Sequence, residues 1–431
     1  MVVQDGAELK LDLSNYDNFT NGVPHAFFAR LRQEEPVHWS SQTHGLGFWS
    51  ITRHPDILTL NRDYRLMSSA RGIRIEDQTR EEFEARKTFQ ETDPPEHTWQ
   101  RLIVSQAFSA GKLLQYEGEI RRIIKETVDF ALQKREFDFA VELARKLPMR
   151  ILGQILSIPE VYHDWLLGQA EKLFANADHD FTDYVVDRVN TDSFRLLPFR
   201  SPAGSEVFDF AQQLLRDQID RGAPQSLLNL ILMPDRNGNS IEKEEFRNFF
   251  CLLIVSGNDT LRHALAAIVH QLARQPLLVE QKIQHLGKPD ATFWATAVDE
   301  WLRWCSPYNY YRRTATRDFS LHGKTIRAGD KVVLWLVSGN RDESVFTKPD
   351  EVNLLRNPNP HLAFGEGSPH NCLGAWLSRL VLKLFIQEWV ARVESTTILS
   401  EPEYLRSNFL NGIKKLPIAL RGRDRGVTWS A

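Results

Sequence analysis

The sequence predicts a mainly α-helical fold with small β-sheets. Three observations predict it. Apolar residues recur at helical spacing from about residue 110 to 275. One stretch near 241–273 is apolar on nearly every face. Strand-like runs are short, at 46–52 with a partner before it and within 320–338. The chain has 431 residues, 42% hydrophobic and 25% charged, so it can bury a large core without disulfide or metal staples. No repeat, low-complexity tract or flexible linker divides it, and residues 1–431 are expected to form a single domain.

The elements follow in chain order. The first residues, MVVQDGAELKLDLSNYDNF, carry acids and no apolar run, so neither a signal peptide nor a membrane anchor is expected there. No stretch reaches the roughly 18 consecutive apolar residues that span a bilayer. A net charge of -3 argues against a dedicated nucleic-acid binder. Three cysteines, at 251, 305 and 372, match no zinc spacing and fit a reducing compartment, hence a cytoplasmic location. Residues 46–52 (LGFWSIT) read as a strand, with PVHWSS before them as its partner. LLQYEGEIRRIIKETVDFALQ and VFDFAQQLLRDQI read as helices. The turn PDRNGNS precedes the long helix, with Ser240 as N-cap candidate and Glu242, Glu244 and Glu245 suiting the helix dipole. Lys243 stands where a capping box would want Glu or Gln. Thirty residues of helix would span roughly 45 Å. Its buried middle nevertheless contains Ser256, Asn258, Asp259 and Thr260. Short strands around the HGK and RAGD turns come next. A Pro- and Gly-rich stretch, RNPNPHLAFGEGSPHNCLG, then leads into the helix AWLSRLVLKLFIQEWVARV.

Cys372 is the first candidate for chemistry. A lone cysteine is ordinarily a buried structural thiol. This one sits at the mouth of a helix, behind Gly365 and Gly367, and is followed by Gly374. Helix-terminal and loop N–H groups lower a thiol pKa, and a metal ligand needs the thiolate. Glycines let backbone lie flat against a planar cofactor. Phe364 could pack on such a group, and His370 could hold an anionic group at its edge. The second candidate is Ser256-Gly257-Asn258-Asp259-Thr260. It is either a polar patch satisfied by helix back-bonding or an adjacent acid and alcohol able to relay protons. Back-bonding leaves Asp259 unexplained, because an unpaired buried carboxylate is costly. Gly257 would leave room for a bound oxygen species and permit a local helix distortion. Glu300 and Arg303 form an E-x-x-R, a pattern common on helices.

Together these segments resemble the cytochrome P-450 superfamily over roughly residues 15–420. Phe364 through Cys372 to Gly374 resembles the family's Phe-x-x-Gly-x-Arg/His-x-Cys-x-Gly loop. It departs by one residue: Phe364 stands eight before Cys372 where seven is usual, the extra one falling in Gly367-Ser368-Pro369-His370. The Ser256–Thr260 segment resembles Ala/Gly-Gly-x-Asp/Glu-Thr of the oxygen-activating helix. Glu300 and Arg303 look like the structural Glu-x-x-Arg, with Arg356 completing the network. His97 and Arg101, four apart in DPPEHTWQR, and Arg313 match positions that contact heme propionates, with Arg312 a competitor for Arg313.

The resemblance implies a triangular, mainly α fold with a small β region near the N-terminus. Heme b would lie between the long helix and the cysteine-loop helix, with Cys372 as axial metal ligand. His97, Arg101, Gly257, Arg313, Phe364, His370 and Gly374 would complete the cofactor site. Asp259 and Thr260 would be catalytic. The implied reaction is monooxygenation, in which one atom of dioxygen enters a C–H bond. Thiolate ligation favours O–O cleavage. The chain has no flavin or iron–sulfur motif, so two electrons are expected from a ferredoxin and its ferredoxin reductase. Lys112, Arg121, Arg122 and Lys125 could dock that acidic partner. The segment SPYNYY corresponds to one that lines the pocket above heme, so Ser256, Tyr308, Asn309 and Tyr310 are expected there. Otherwise the polar groups of SPYNYY turn away to backbone. The substrate class implied is terpenoid, steroid side chain or branched aliphatic. Two rivals remain. A heme-thiolate peroxygenase would carry an Arg–Pro pair in place of the acid–alcohol pair. A non-enzymatic heme carrier or gas sensor would not need that pair.

Overall fold

A computed structural model describes residues 10–42, 45–220, 227–232, 234, 238–276, 278–279 and 290–423. The expected N-terminal reading over residues 1–9, and Asp235, Arg236 and Asn237 of the predicted turn, lie outside the described residues. Helices dominate and the sheets are small, as the sequence predicts.

The long helix runs Lys243–Arg274. It is capped two residues later than expected, by Glu242 and not Ser240. The reason lies in the spacing of the acids. Counting from Glu242, the third residue is Glu245, whose carboxylate accepts the Glu242 N–H at 3.1 Å. Phe250, Cys251, Ile254, Val255, Leu265 and Ile268 on this helix are completely buried. Burying each large apolar side chain contributes about 1.5–3 kcal/mol. The helix packs against Lys146–Leu156, His163–Phe174 and Ala203–Asp220. It stays α-helical through residues 256–260, so the distortion that Gly257 would permit is not used.

The predicted strand and its partner are observed as Phe48–Ile51 and Val37–Ser40, paired antiparallel. They belong to a five-stranded sheet. Phe48–Ile51 lies parallel to Lys331–Trp335, with Trp49 opposite Val332. Tyr310–Ala315 pairs antiparallel on the other side of Lys331–Trp335, and Met67–Ser68 forms the edge. This sheet has its own hydrophobic cluster, including Val37, Ile51, Ile57, Met67, Val332, Leu334 and Leu362. A three-stranded sheet joins Glu136–Asp138, Pro417–Gly422 and Val393–Ile398. A ribbon of Glu403–Tyr404 and Ile413–Lys415 carries Phe409 in its connection. The cysteine-loop helix runs Ala375–Arg392. Among the described residues, no helix is long and apolar enough to cross a membrane.

Candidate active site

One large cavity lies between the long helix and the cysteine loop. Ser256, Gly257 and Thr260 line one wall, and Phe364, His370, Cys372 and Gly374 another. Backbone shapes the cysteine loop. The Cys372 N–H donates to the Phe364 carbonyl at 2.8 Å, closing the loop. The extra residue is taken up by two turns: Ser368 N–H to Gly365 O at 3.2 Å, and Asn371 N–H to Ser368 O at 3.1 Å. Gly367 sits at φ +80°, a conformation L side chains rarely adopt, and a Cβ there would also fall 2.4 Å from Arg62 Nε and push that side chain aside. Arg379 lies over the Phe364 ring at 4.5 Å and donates to Asp299 at 2.7 Å, fixing the loop from outside. Burial pushes the Cys372 thiol up, while the Gly374 backbone and Arg101 pull it down. The expected net lowering by the helix terminus therefore does not occur in the protein alone. A bound cation deprotonates a coordinating thiol outright.

Arg101 and Arg313 reach the same cavity. Arg313 is buried, and its donors go to Arg312 O at 3.0 Å and Asn61 Oδ1 at 3.3 Å. It makes no ion pair among the described residues, and burial pushes its pKa down to about 10. A buried cation without a counter-charge is costly. The His370 ring stands 4.1 Å from that of His97. Neither His370 Nδ1 nor His97 Nε2 has a hydrogen-bond partner among the described residues. Burial pushes the His97 pKa down to about 4 and that of His370 far down as well. The site therefore offers cations and the unpaired His370 Nδ1 beside walls that include Gly257, Gly365 and Gly374, which fits a planar group with anionic edges. His97 sits behind His370 and off the cavity wall. Arg312 points elsewhere, donating to the carbonyls of Arg71 and Gly72. Alternation along the strand Tyr310–Ala315 explains the difference: residues 311 and 313 share one face, 310 and 312 the other.

The acid–alcohol segment is split by helix geometry. Thr260 lines the cavity and its hydroxyl donates back to Ser256 O at 2.9 Å. Ser256 likewise donates to Leu252 O at 2.6 Å. Asp259 faces away from the cavity and is fully buried. It accepts from Asn258 Nδ2 at 3.3 Å and lies 3.8 Å from Arg262. Burial pushes its pKa up to about 6, Arg262 pulls it down, and Glu171 pushes it up. Gly257 serves close packing, because a Cβ there would fall 3.2 Å from Leu152 Cδ2.

Of the expected pocket residues, Ser256 and Tyr308 line the cavity and Asn309 and Tyr310 do not. The Asn309 amide donates to Asn408 O at 2.9 Å. The Tyr310 hydroxyl accepts the Ile75 N–H at 3.2 Å, and its ring packs on Trp335 and Phe409. Strand alternation turns Tyr310 into the core and its neighbour Tyr311 into the cavity. Sequence reasoning missed Tyr311, Phe174, Leu253, Phe409 and Glu91 on the wall. The alternation could have found Tyr311. The others come from separate elements without a motif.

A family model described as Cytochrome P450 matches residues 19–403. The chain belongs to the cytochrome P450 family. This P450 is 32% identical over 433 residues to the methyl-branched lipid omega-hydroxylase of Mycobacterium tuberculosis, covering 98% of this chain and 95% of the relative. It is 32% identical over 419 residues to linalool 8-monooxygenase of Pseudomonas putida, covering 95% and 98%. A Mycobacterium marinum P450 solved in complex with pseudoionone superposes with a TM-score of 0.84 at 30% identity, over 97% of this chain and all of that one. The expected family and fold hold. As a P450 the chain is a heme-iron oxidoreductase of the monooxygenase class, acting on hydrophobic molecules with electrons from a redox partner.

In this P450 the Glu300–Arg303 pair is completely buried and bidentate, at 2.8 Å for both bonds. Arg303 also donates to the carbonyls of Asn340, Pro349 and Glu351. Glu300 accepts from Arg356 at 2.9 Å, from Asn353 N–H at 2.7 Å and from Asn359 at 3.2 Å. The pair thus ties the helix Ala291–Cys305 to the segment that leads into the cysteine loop.

Proposed function

We propose that this P450 hydroxylates a terpenoid, steroid or methyl-branched aliphatic molecule in the cytoplasm. Dioxygen and two electrons from a ferredoxin and ferredoxin reductase would be consumed, and the 431 residues would work as one domain around heme b. The observation that carries the reading is the single cavity shared by Cys372 and by Ser256, Gly257 and Thr260. The ligand and substrate named for two relatives, pseudoionone and linalool, support the terpenoid class, and methyl-branched lipids support the branched aliphatic one. Aromatic and aliphatic walls from Leu152, Phe174, Leu253 and Phe409 suit both.

Cys372 would hold the heme iron through its thiolate, and Phe364 and Gly374 would line the heme site. Arg101, Arg313 and His370 would meet the propionates, with His97 supporting His370. When bound, the heme iron activates dioxygen, and thiolate ligation favours O–O cleavage. The protein's own work is proton management and exclusion of water. Thr260 donates its hydroxyl proton to Ser256 O, which leaves its lone pairs toward the cavity. Asp259 gains and loses a proton near its pKa of about 6. Beyond it, Arg262, Glu171 and Arg145 form a charged path toward the surface, Arg145 being 21% exposed.

The test is product formed per NAD(P)H consumed with both partner proteins present. General acid catalysis contributes about 10²–10⁴-fold, so Asp259→Asn should slow turnover by a factor in that range and leave substrate binding intact. Thr260→Ala should still consume NAD(P)H but release much of the oxygen as hydrogen peroxide. Wild-type rate and coupling in both would reduce the segment to a satisfied polar patch. The same pair of groups argues against the peroxygenase and carrier readings.

A further inference from the structure

Asp259 belongs to a set of charged side chains drawn from three helices. Asp259 and Arg262 lie one turn apart on Lys243–Arg274. Glu171 stands on His163–Phe174, and Arg145 caps the N-terminal end of Lys146–Leu156. Two guanidinium groups therefore serve two carboxylates, but they are shared unequally. Glu171 Oε1 accepts from Arg262 at 2.7 Å and from Arg145 Nε at 2.7 Å, and its Oε2 accepts from Arg145 at 2.8 Å. Asp259 receives a hydrogen bond from neither: Arg262 forms only a longer ion pair with it, at 3.8 Å. The Arg262 guanidinium is also laid over the Phe181 ring at 5.4 Å. The cation best placed along the helix to neutralise Asp259 is thus committed to another carboxylate.

We propose that Glu171 is a positioning residue that holds Arg262 off Asp259 and so keeps the Asp259 carboxyl exchangeable near neutral pH. This rests on Asp259 acting in proton delivery. The physical logic is competition. At 3.8 Å Arg262 already lowers the Asp259 carboxyl through space, since an opposite charge within about 4–6 Å does so by about 1–3 units, and a direct hydrogen bond to the carboxylate would lower it further. A direct Arg262–Asp259 bond would fix Asp259 as a carboxylate, unable to donate at working pH. Glu171 prevents that in two ways: it occupies Arg262 and it adds negative charge of its own. The other groups facing Asp259 do not replace it. The Asn258 amide is neutral, burial keeps Tyr308 protonated, and burial beside Arg262 pushes the pKa of His263 down to about 3. Arg145 pulls Asp259 down through space while drawing on Glu171.

The competing reading is an ion cluster that only ties three helices together. Infrared difference spectroscopy of the holoprotein separates the two. The Asp259 carboxyl band is assigned by its loss in Asp259→Asn and followed against pH. The wild-type midpoint is expected near 6. Glu171→Gln should lower it by about one unit or more, and Glu171→Asp, which keeps the charge, should restore it most of the way. Arg145→Gln leaves Arg262 as the sole partner of Glu171 and should raise the midpoint, which tests the idea even if Glu171→Gln folds poorly. Midpoints unmoved in Glu171→Gln and Arg145→Gln would overturn the proposal. The pH profile of product per NAD(P)H is measured alongside. If the band shifts and the profile does not follow, Glu171 governs Asp259 as proposed, and it is the proton-delivery role of Asp259 that fails.

Discussion

At Cys372 the sulfur is presented by backbone, and the residue's reactivity depends on what binds it. Cys251 and Cys305 are buried in apolar surroundings that push both thiols up, Cys305 to about 12. Such thiols are inert. Cys372→Ser should therefore abolish the red-shifted Soret band of the reduced CO complex, and Ser at 251 or 305 should leave it in place. Glu91 gives a second prediction. It lines the cavity, makes no ion pair among the described residues, and burial pushes its pKa from 4.5 up to about 7. A raised carboxyl pKa means that the folded state holds the proton more tightly than the unfolded one. Its contribution is complete below 4.5 and is lost as pH rises through 7. Glu91→Gln should accordingly raise Tm more at pH 8 than at pH 5, and an equal effect at both would contradict the assignment. The sequence made Cys372, Thr260 and Arg313 legible because motif spacing carries them. It did not reveal Glu91, or the turn of Asn309 and Tyr310 away from the cavity into the core, because a pocket wall is assembled from elements far apart in the chain. Which face a short strand presents depends on register.

At the scale of elements, the Glu300 network is the clearest case of a side chain that organises others. Glu300→Ala would leave Arg303 and Arg356 buried without their shared carboxylate. Breaking a buried pair in this way costs about 3–5 kcal/mol. Thermal unfolding and heme content should both fall, and a normal melt with full heme would refute the structural role. Helix identity was legible from periodicity, and the long helix was placed within two residues at its start. The error at Ser240 is physical. Ser240 has Lys243 three residues ahead, whereas Glu242 has Glu245, whose carboxylate accepts the Glu242 N–H. The unbroken helix at Gly257 has a similar cause: the glycine is used for contact with Leu152, so no kink is needed to relieve crowding.

At the scale of the whole molecule, the proposed ferredoxin surface is less charged than its sequence suggests. Arg121 pairs with Glu117, Arg122 with Glu119 and Glu126, and Lys125 with Asp129. Lys112 is exposed and makes no ion pair among the described residues. Steering should therefore be modest. Stopped-flow reduction by a ferredoxin should slow as salt rises. Lys112→Glu should slow it further than Lys125→Glu, and rates independent of salt would remove electrostatic docking from the account.

The five-stranded sheet has a consequence for how the chain comes into being. Trp49 pairs early with Trp39, but its other edge waits for Val332, and Met67 waits for Ala315. At about 5–20 residues per second, a ribosome leaves an edge of the early hairpin, and the Met67–Ser68 strand, unpaired for tens of seconds. Strand edges exposed for that long invite pairing with other chains. The small cluster around Ile51 and Met67 cannot close until Val332, Leu334 and Leu362 have emerged. Nascent chains stalled before Tyr310 should thus stay protease-sensitive around residues 37–68 and bind holdase chaperones, and resistance there should arise only after Leu362 has been released.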